Sequence, residues 1–178
     1  QMEHLAARYR VVSVPALLSA LDGGEPLPPR AVLLTFDDAH RSFAEVAWPI
    51  LCRHEFSATV FVPTAYPDSD ETRFWWDRLE HAFAVTARRD ERATSMGRLL
   101  LASAEQRIAT HQAVKRHVKE LGPREARAVV EEICTALEVE PVRHEVLGWA
   151  ELRGLALAGV QLGAHTRSHP RLDRLSLA

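Results

Sequence analysis

The sequence predicts an α/β protein built around a parallel sheet. Two apolar runs of strand length, Ala31 to Phe36 and Ser57 to Val62, enclose a segment from 42 to 54 whose apolar residues follow helical spacing. A strand, helix, strand order with short connections forms a βαβ unit, which favours parallel strands. A third short strand is expected at Gly159 to Gly163. Because 178 residues with 47% apolar composition can bury one ordinary core, we expect a single domain over residues 1–178.

The first part of the chain alternates helix, loop and strand. Residues 13–21 have the pattern of a short helix, and residues 22–29 contain two glycines and three prolines, which is typical of a loop. The first strand follows as a continuous apolar run, as expected for a strand buried on both faces. Pro49 removes a hydrogen bond from the next helix and predicts a kink there. Pro63 ends the second strand.

The stretch between Pro67 and Leu147 is predicted to be wholly helical. Its apolar residues follow a period of 3.6, most clearly in Pro123 to Leu137, where Gly122 and Pro123 supply a start signal. We therefore expect a helical insertion over residues 67–147, outside the sheet and between the second and third recognisable strands. A helix over 149–158 leads into the third strand, and residues 171–178 have the pattern of a helix start.

Charge and hydropathy exclude several classes of partner. A net charge of -2 leaves no basic surplus for neutralising phosphates, so we expect no nucleic acid partner. No apolar run approaches the roughly 18 residues that a membrane-spanning helix needs. Residues 1–4 have neither a basic region nor an apolar core after them, so no secretory signal is predicted and a cytoplasmic location is favoured.

Polar side chains follow the predicted strands at the points where those strands end. Asp37 and Asp38 end the first strand, and His165 follows the third. Ligands of parallel α/β folds bind at the carboxyl ends of strands, so these groups should face one pocket. One carboxylate oxygen and two imidazole nitrogens, from His165 and His169, make a three-ligand set for Zn²⁺ or a similar divalent ion, with a position open for water. The four-residue spacing of the histidines places them one turn apart if their loop winds into a helix.

Each of these motifs also has a purely structural interpretation. A carboxylate at a strand-to-helix junction commonly caps the helix that follows, so capping explains Asp37 and Asp38 as well as metal binding does. Nine histidines in the chain make a His-x-x-x-His pair easy to obtain by chance. The conjunction of the two motifs at one predicted edge is what favours a metal site. Two adjacent carboxylates can then divide the work, one binding metal and the other accepting a proton.

Two ordered segments of the chain resemble a known family. Leu34-Thr35-Phe36-Asp37-Asp38, followed by Trp48-Pro49-Ile50-Leu51 and Ala58-Thr59-Val60-Phe61-Val62, resembles the first conserved region of polysaccharide deacetylases of the NodB-homology, or carbohydrate esterase 4, family. The segment His165-Thr166-Arg167-Ser168-His169, with its flanks, resembles the second motif, a His-Ser/Thr-x-x-His signature. The resemblance covers about residues 10–63 and 148–178.

The resemblance implies a fold, a site and a reaction. The fold is a distorted (β/α)7 barrel, similar to a TIM barrel, of which this chain would be a part, incomplete at both ends. Asp37 is implied as the catalytic base that activates water. Asp38, His165 and His169 are implied as ligands of a divalent metal, Zn²⁺ first, with Co²⁺, Ni²⁺ or Mn²⁺ as alternatives. Thr166 is implied to orient the loop. The reaction is metal-dependent hydrolysis of an N-acetyl or O-acetyl group on a carbohydrate or polysaccharide substrate.

Differences from the family keep other functions open. Ala39 and His40 follow the aspartates where relatives usually have glycine and an aromatic residue, which predicts an altered turn. The family's later motifs, an arginine and proline segment and a histidine that serves as general acid, are expected beyond residue 178. The alternative is therefore a truncated or degenerate deacetylase domain that binds carbohydrate or a partner without turnover. An unrelated metal hydrolase on another α/β fold is a third interpretation, which explains the motif flanks less well.

Overall fold

The computed structural model describes residues 1–69, 74–140 and 146–175 and has a mixed α/β architecture. The helices of these residues are α1 (Met2–Arg8), α2 (Val14–Leu21), α3 (Trp48–Arg53), α4 (Trp75–Val85), α5 (Ala104–Glu120), α6 (Pro123–Ala136) and α7 (Trp149–Leu157). The strands are β1 (Arg10–Val12), β2 (Ala31–Leu33), β3 (Thr35–Asp37), β4 (Thr59–Val62), β5 (Arg92–Thr94), β6 (Gly97–Leu99) and β7 (Gln161–Ala164). A π-helical turn (Phe43–Ala47) precedes α3, and a 3₁₀ turn (Leu172–Arg174) follows β7. No helix in these ranges is long and apolar enough to cross a membrane.

The chain has two compact units, and the first of them comprises Gln1–Ser69 and Glu145–His169. This unit contains the parallel strands. β3, β4 and β7 lie in that order in one sheet, with Phe36 opposite Val60 and Val60 opposite Leu162. β1 and β2 form a separate parallel pair. The parallel sheet predicted from the βαβ order is therefore present. The central strand β4 is the most buried, since Val60 and Val62 are almost fully covered.

The strand predicted at Ala31 to Phe36 is divided at Leu34 and serves two ladders. Its first half, β2, pairs with β1, whereas its second half, β3, pairs with β4. The carbonyl of Leu34 accepts a hydrogen bond from the Thr59 N–H at 3.0 Å, so Leu34, which lies between β2 and β3, is hydrogen-bonded to β4. β1 was not predicted, because three residues are too short for a period-2 pattern to show.

Local sequence signals account for the helix boundaries in this unit. The Ser13 side chain caps α2 by accepting a hydrogen bond from the Ala16 N–H at 3.3 Å. The predicted kink at Pro49 takes the form of the π-helical turn, in which the Trp48 N–H bonds to the carbonyl of Phe43, five residues earlier. Proline lacks an N–H group, so the regular ladder is already interrupted at this point.

The second compact unit comprises Asp70–His144 and Pro170–Ala178. α4, α5 and α6 supply most of its buried core, which contains Leu79, Val114, Val118, Val130, Ile133 and Leu137. The prediction that everything between 67 and 147 is helical is wrong for residues 92–99, which form the antiparallel hairpin β5–β6. Gly97, with a φ of +106°, provides the tight turn, and strands of three residues carry too little alternation to be recognised. Residues 70–73 and 141–145 of that predicted stretch lie outside the described residues.

Candidate metal centre

The predicted ligands lie at the carboxyl ends of parallel strands. Asp38 directly follows β3, and His165 directly follows β7. The neighbouring strand β4 lies between these two, and its last residue, Val62, is paired with Ala164. The Val62 carbonyl also accepts a hydrogen bond from the His165 N–H at 2.8 Å, which extends the ladder by one residue. The sheet therefore delivers the carboxylate and the first imidazole to the same edge.

Asp38, His165 and His169 form one group, the Asp-His cluster, whose potential ligand atoms all lie within 4.8 Å of one another. Asp38 Oδ1 is 3.4 Å from His169 Nε2 and 3.7 Å from His165 Nε2. The two imidazole rings meet nearly edge to face, with centroids 4.7 Å apart. The structure thus brings together the three residues that the sequence predicts as metal ligands.

The Asp38 carboxylate has an unsatisfied hydrogen-bond acceptor among the described residues. Its Oδ1 atom is buried and has no hydrogen-bond partner among the described residues. A buried acceptor without a partner is unfavourable by about 1–3 kcal/mol, and by more if it is charged. A divalent cation between Oδ1 and the two imidazoles would satisfy it, and one oxygen with two nitrogens is a donor set that suits Zn²⁺. The residues present therefore fit a metal ion.

Left-handed backbone conformations are concentrated at this cluster. Asp38 and Ala39 have φ values of +69° and +51°, and Thr166 and His169 have +61° and +51°. Such conformations are disfavoured for residues with a Cβ, by roughly 1–2 kcal/mol each, and they gather at functional sites where the surroundings hold them. The histidine loop forms no helical turn. The two histidines are therefore not placed one helical turn apart.

Hydrogen bonds fix the histidine loop in place. The carbonyl groups of Thr166 and Arg167 accept hydrogen bonds from the N–H groups of Thr64 and Ala65, at 3.1 and 2.8 Å. Within the loop, the Thr166 hydroxyl accepts a hydrogen bond from the His169 N–H at 3.0 Å. This hydrogen bond supports the orienting role that the family resemblance implied for Thr166, which stays a prediction. The backbone of His169 is therefore held by a side chain three residues earlier.

The turn after Asp38 is held by a distant segment of the same unit. The Ala39 carbonyl accepts a hydrogen bond from the Leu147 N–H at 2.9 Å, and His40 forms an isolated antiparallel bridge with Val146. Ala39 is completely buried. These contacts hold Asp38 and Ala39 in their left-handed conformations. Ala39 stands where the family usually has a glycine.

An ion pair adds to this attachment. Arg41 donates two hydrogen bonds to the Glu151 carboxylate, at 2.6 and 3.1 Å. The same carboxylate accepts a hydrogen bond from the Gly148 N–H at 2.9 Å and so caps α7. The hydrogen bond with Arg41 and the one from Gly148 lower the pKa of Glu151, and the Glu151 carboxylate raises the pKa of Arg41. Both side chains are about two-fifths exposed, so the pair contributes below about 1 kcal/mol to stability.

The family assignment rests on a match over most of the chain. The model of the family described as polysaccharide deacetylase matches residues 24–178, a range that contains the whole Asp-His cluster. The chain belongs to the polysaccharide deacetylase family. The resemblance noted in the sequence is therefore confirmed.

Curated relatives of this polysaccharide deacetylase family member share one segment with it. The poly-beta-1,6-N-acetyl-D-glucosamine N-deacetylases of Escherichia coli K12 and of Escherichia coli O157:H7 are each 44% identical to it over 82 residues. That segment is 44% of this chain and 12% of each relative. The chain thus matches only a small part of the length of these relatives.

Solved structures of deacetylases resemble the chain in part. A Streptococcus pyogenes deacetylase, PplD, in complex with acetate is 28% identical, with a TM-score of 0.36 over 44% of this chain and 36% of that one. The deacetylase domain of BpsB from Bordetella bronchiseptica is 18% identical, with a TM-score of 0.37 over 90% of this chain and 74% of that one. A de-N-acetylase from Aggregatibacter actinomycetemcomitans is also 18% identical, with a TM-score of 0.37 over 74% and 63% of the two chains.

Two further residues of this family member are close to Asp38 in the sequence. Asp37, the residue implied as catalytic base, ends β3 with an exposed side chain, on the ladder row of Phe61. His40 Nε2 lies 3.9 Å from the second carboxylate oxygen of Asp38, Oδ2. From the sequence, His40 was expected only to alter the turn. A histidine two residues after a predicted metal ligand was the signal that could have pointed to it.

Proposed function

We propose that this chain is part of a metal-dependent deacetylase that removes N-acetyl, or O-acetyl, groups from a carbohydrate. Asp38, His165 and His169 would bind a divalent ion, Zn²⁺ first among the candidates. The observation that carries the metal site is the buried Oδ1 of Asp38, which has no hydrogen-bond partner within the described ranges and lies 3.4 and 3.7 Å from two imidazole nitrogens. Family membership supports the carbohydrate substrate, and the curated relatives are named for an N-acetylated glucosamine polymer.

The residues of the chain have separate roles in the proposed reaction. A bound divalent ion would polarise the acetyl carbonyl and lower the pKa of a nearby water molecule toward 7. The exposed Asp37 carboxylate, adjacent to a ligand but outside the Asp-His cluster, would accept the proton of the attacking water. Water oxygen bonds to the carbonyl carbon, the bond from that carbon to the sugar nitrogen breaks, and acetate and a protonated amine are released.

We also propose that residues 1–178 form one polysaccharide deacetylase-like domain, a partial and distorted (β/α)7 barrel with residues 67–147 as an insertion. Among the described residues, five strands pair in parallel, and the Asp-His cluster lies at carboxyl strand ends, where barrel enzymes place their active sites. The non-catalytic alternative, a degenerate domain that only binds carbohydrate, is not favoured, because all three ligands and Asp37 are retained.

Two neighbouring substitutions test the division of roles. Asp37→Asn should keep the metal and lower turnover by about 10²- to 10⁴-fold, the usual effect of losing a general base. Asp38→Asn and His165→Ala should lose metal, because a neutral amide is a poorer ligand than a carboxylate and alanine is no ligand. Elemental analysis after metal removal and reloading gives the stoichiometry, and acetate release from N-acetylglucosamine oligomers by the full-length protein gives turnover. Asp22→Asn, a neutralised carboxylate at the end of α2, is the matched control.

The outcomes separate the parts of the proposal. Equal metal content in wild type and His165→Ala would exclude the Asp-His cluster as the site. Near-normal turnover of Asp37→Asn, or metal loss as complete as that of Asp38→Asn, would exclude Asp37 as the base. Stoichiometric metal and oligosaccharide binding without acetate release would favour the non-catalytic alternative.

A further inference from the structure

The two oxygens of the Asp38 carboxylate face different histidines. Oδ1 lies 3.4 and 3.7 Å from the Nε2 atoms of His169 and His165, whereas Oδ2 lies 3.9 Å from the Nε2 atom of His40. Three imidazoles thus surround one carboxylate that is only 17% exposed. His165 and His169 approach Oδ1, and His40 approaches Oδ2.

This geometry sets His40 apart from the ligands. The potential ligand atoms of Asp38, His165 and His169 lie within 4.8 Å of one another, and His40 is not part of that group. Its Nε2 atom approaches Oδ2 of Asp38, whereas the contacts of His165 and His169 are with Oδ1. His40 is therefore placed to contact the carboxylate and not the ion that the carboxylate would bind.

The backbone of His40 is held firmly. Its carbonyl accepts a hydrogen bond from the Phe43 N–H at 2.9 Å, and the residue forms the bridge with Val146. The preceding residue, Ala39, is bonded to Leu147, and the following one, Arg41, is paired with Glu151. A donor on so fixed a backbone can restrict a neighbouring carboxylate with little loss of its own freedom.

We propose that His40 is a positioning residue of the metal centre. Its Nε2–H donates a hydrogen bond to Asp38 Oδ2 in the metal-loaded protein, which leaves Oδ1 alone to bind the ion. A small rotation of either side chain brings the 3.9 Å separation to the 2.7–2.9 Å of a hydrogen bond to a carboxylate. Carboxylate ligands are generally held by such outer partners, whose loss lowers metal affinity by about 10- to 100-fold. The inference rests on the metal site of the proposed function.

The test measures metal affinity and ligand field, not turnover. Zn²⁺ affinity is determined by competition with a chromophoric chelator for wild type, His40→Phe and His40→Gln. His40→Phe keeps a planar ring and removes the donor, so its affinity should fall about 10- to 100-fold. His40→Gln keeps an N–H donor at similar reach and should stay close to wild type. His4→Phe, on the exposed face of α1, is the matched control and should not change.

Visible absorption of the Co²⁺-loaded proteins distinguishes a positioning residue from a ligand. At saturating Co²⁺ the spectrum of His40→Phe should keep the band positions and intensity of wild type, because the ligand set is unchanged. Equal Zn²⁺ affinity in wild type and His40→Phe would overturn the proposal, and so would a spectrum showing one ligand fewer. Absence of stoichiometric metal from wild type would overturn the proposed function itself. Circular dichroism checks the fold, and His40→Ala repeats the test if the larger ring does not fit.

Discussion

Replacing Gly163 with alanine tests the packing between β7 and β4. Gly163 lies opposite Phe61 in the parallel ladder, and Phe61 in turn lies opposite Asp37. A Cβ atom at position 163 would lie 2.6 Å from both Cδ1 and Cε1 of the Phe61 ring, well inside the 3.5–4.0 Å at which carbon atoms normally meet. The φ of Gly163 is not positive, so the backbone conformation is one that alanine adopts without strain. The expected cost of the substitution is therefore the contact with the Phe61 ring alone.

Two opposing terms decide the size of the effect. Forcing an extra carbon into a packed position lowers the free energy of unfolding by about 1–3 kcal/mol. Removing a glycine from a strand raises it by about 0.5–1 kcal/mol. We therefore expect Gly163→Ala to destabilise the protein by about 0 to 2.5 kcal/mol. In a Phe61→Val background the ring atoms are gone, so the same change should stabilise by about 0.5–1 kcal/mol.

The measurement is urea unfolding followed by circular dichroism for wild type, both single variants and the double variant. The interaction between the two positions should be about 1–3 kcal/mol, and the effect of alanine should change sign between the backgrounds. Gly154→Ala is the matched control, since a Cβ there meets nothing within 4 Å in the middle of α7, and it should stabilise by about 0.5–1 kcal/mol. An equal effect of Gly163→Ala in both backgrounds would refute the reasoning.

Two further predictions concern a partly buried histidine and the histidine loop. Burial, with a contribution from Lys115, lowers the pKa of His111 below its ordinary 6.5, so the unfolded chain binds the proton more readily and stability falls as pH drops below that value. His111→Phe should remove this part of the pH dependence. The test is the urea unfolding midpoint measured between about pH 8 and 5, and a midpoint that falls as steeply with pH in His111→Phe as in wild type would contradict the prediction. Thr166→Val removes the acceptor of the His169 N–H, so it should lower stability by about 0.5–1.5 kcal/mol and weaken metal binding, whereas Thr166→Ser should retain both. Equal Zn²⁺ affinity of the valine and serine variants would argue against the role of this hydroxyl.

Strong local signals in the sequence predicted much of the fold. Ser13 indicated the start of α2, and the apolar run of β4 indicated a buried strand. The 3.6-residue spacing of apolar residues over 123–137 predicted α6. The elements that were missed are strands of three residues, namely β1 and the hairpin β5–β6. The division at Leu34 was also missed, because the choice of partner strand depends on residues far away in the chain.

The site was predicted in its composition and not in its conformation. Asp38, His165 and His169 come together as expected, while their binding of metal stays a prediction. The left-handed turn at Asp38 and the approach of His40 could not be read from the motif. They depend on contacts with a segment that begins at Val146, more than 100 residues later.

The connection between β4 and β7 has a consequence for folding kinetics. Thr59 and Gln161 pair in the sheet although they are 102 positions apart, and most of the second compact unit lies between them. Loop-closure entropy grows only logarithmically, so a connection about eight times longer than a dozen-residue crossover costs about 2 kcal/mol more. Formation of the β4–β7 ladder, and with it of the Asp-His cluster, is therefore expected to be a late, slow step. Early folding of the intervening helices would shorten the effective loop and speed that step.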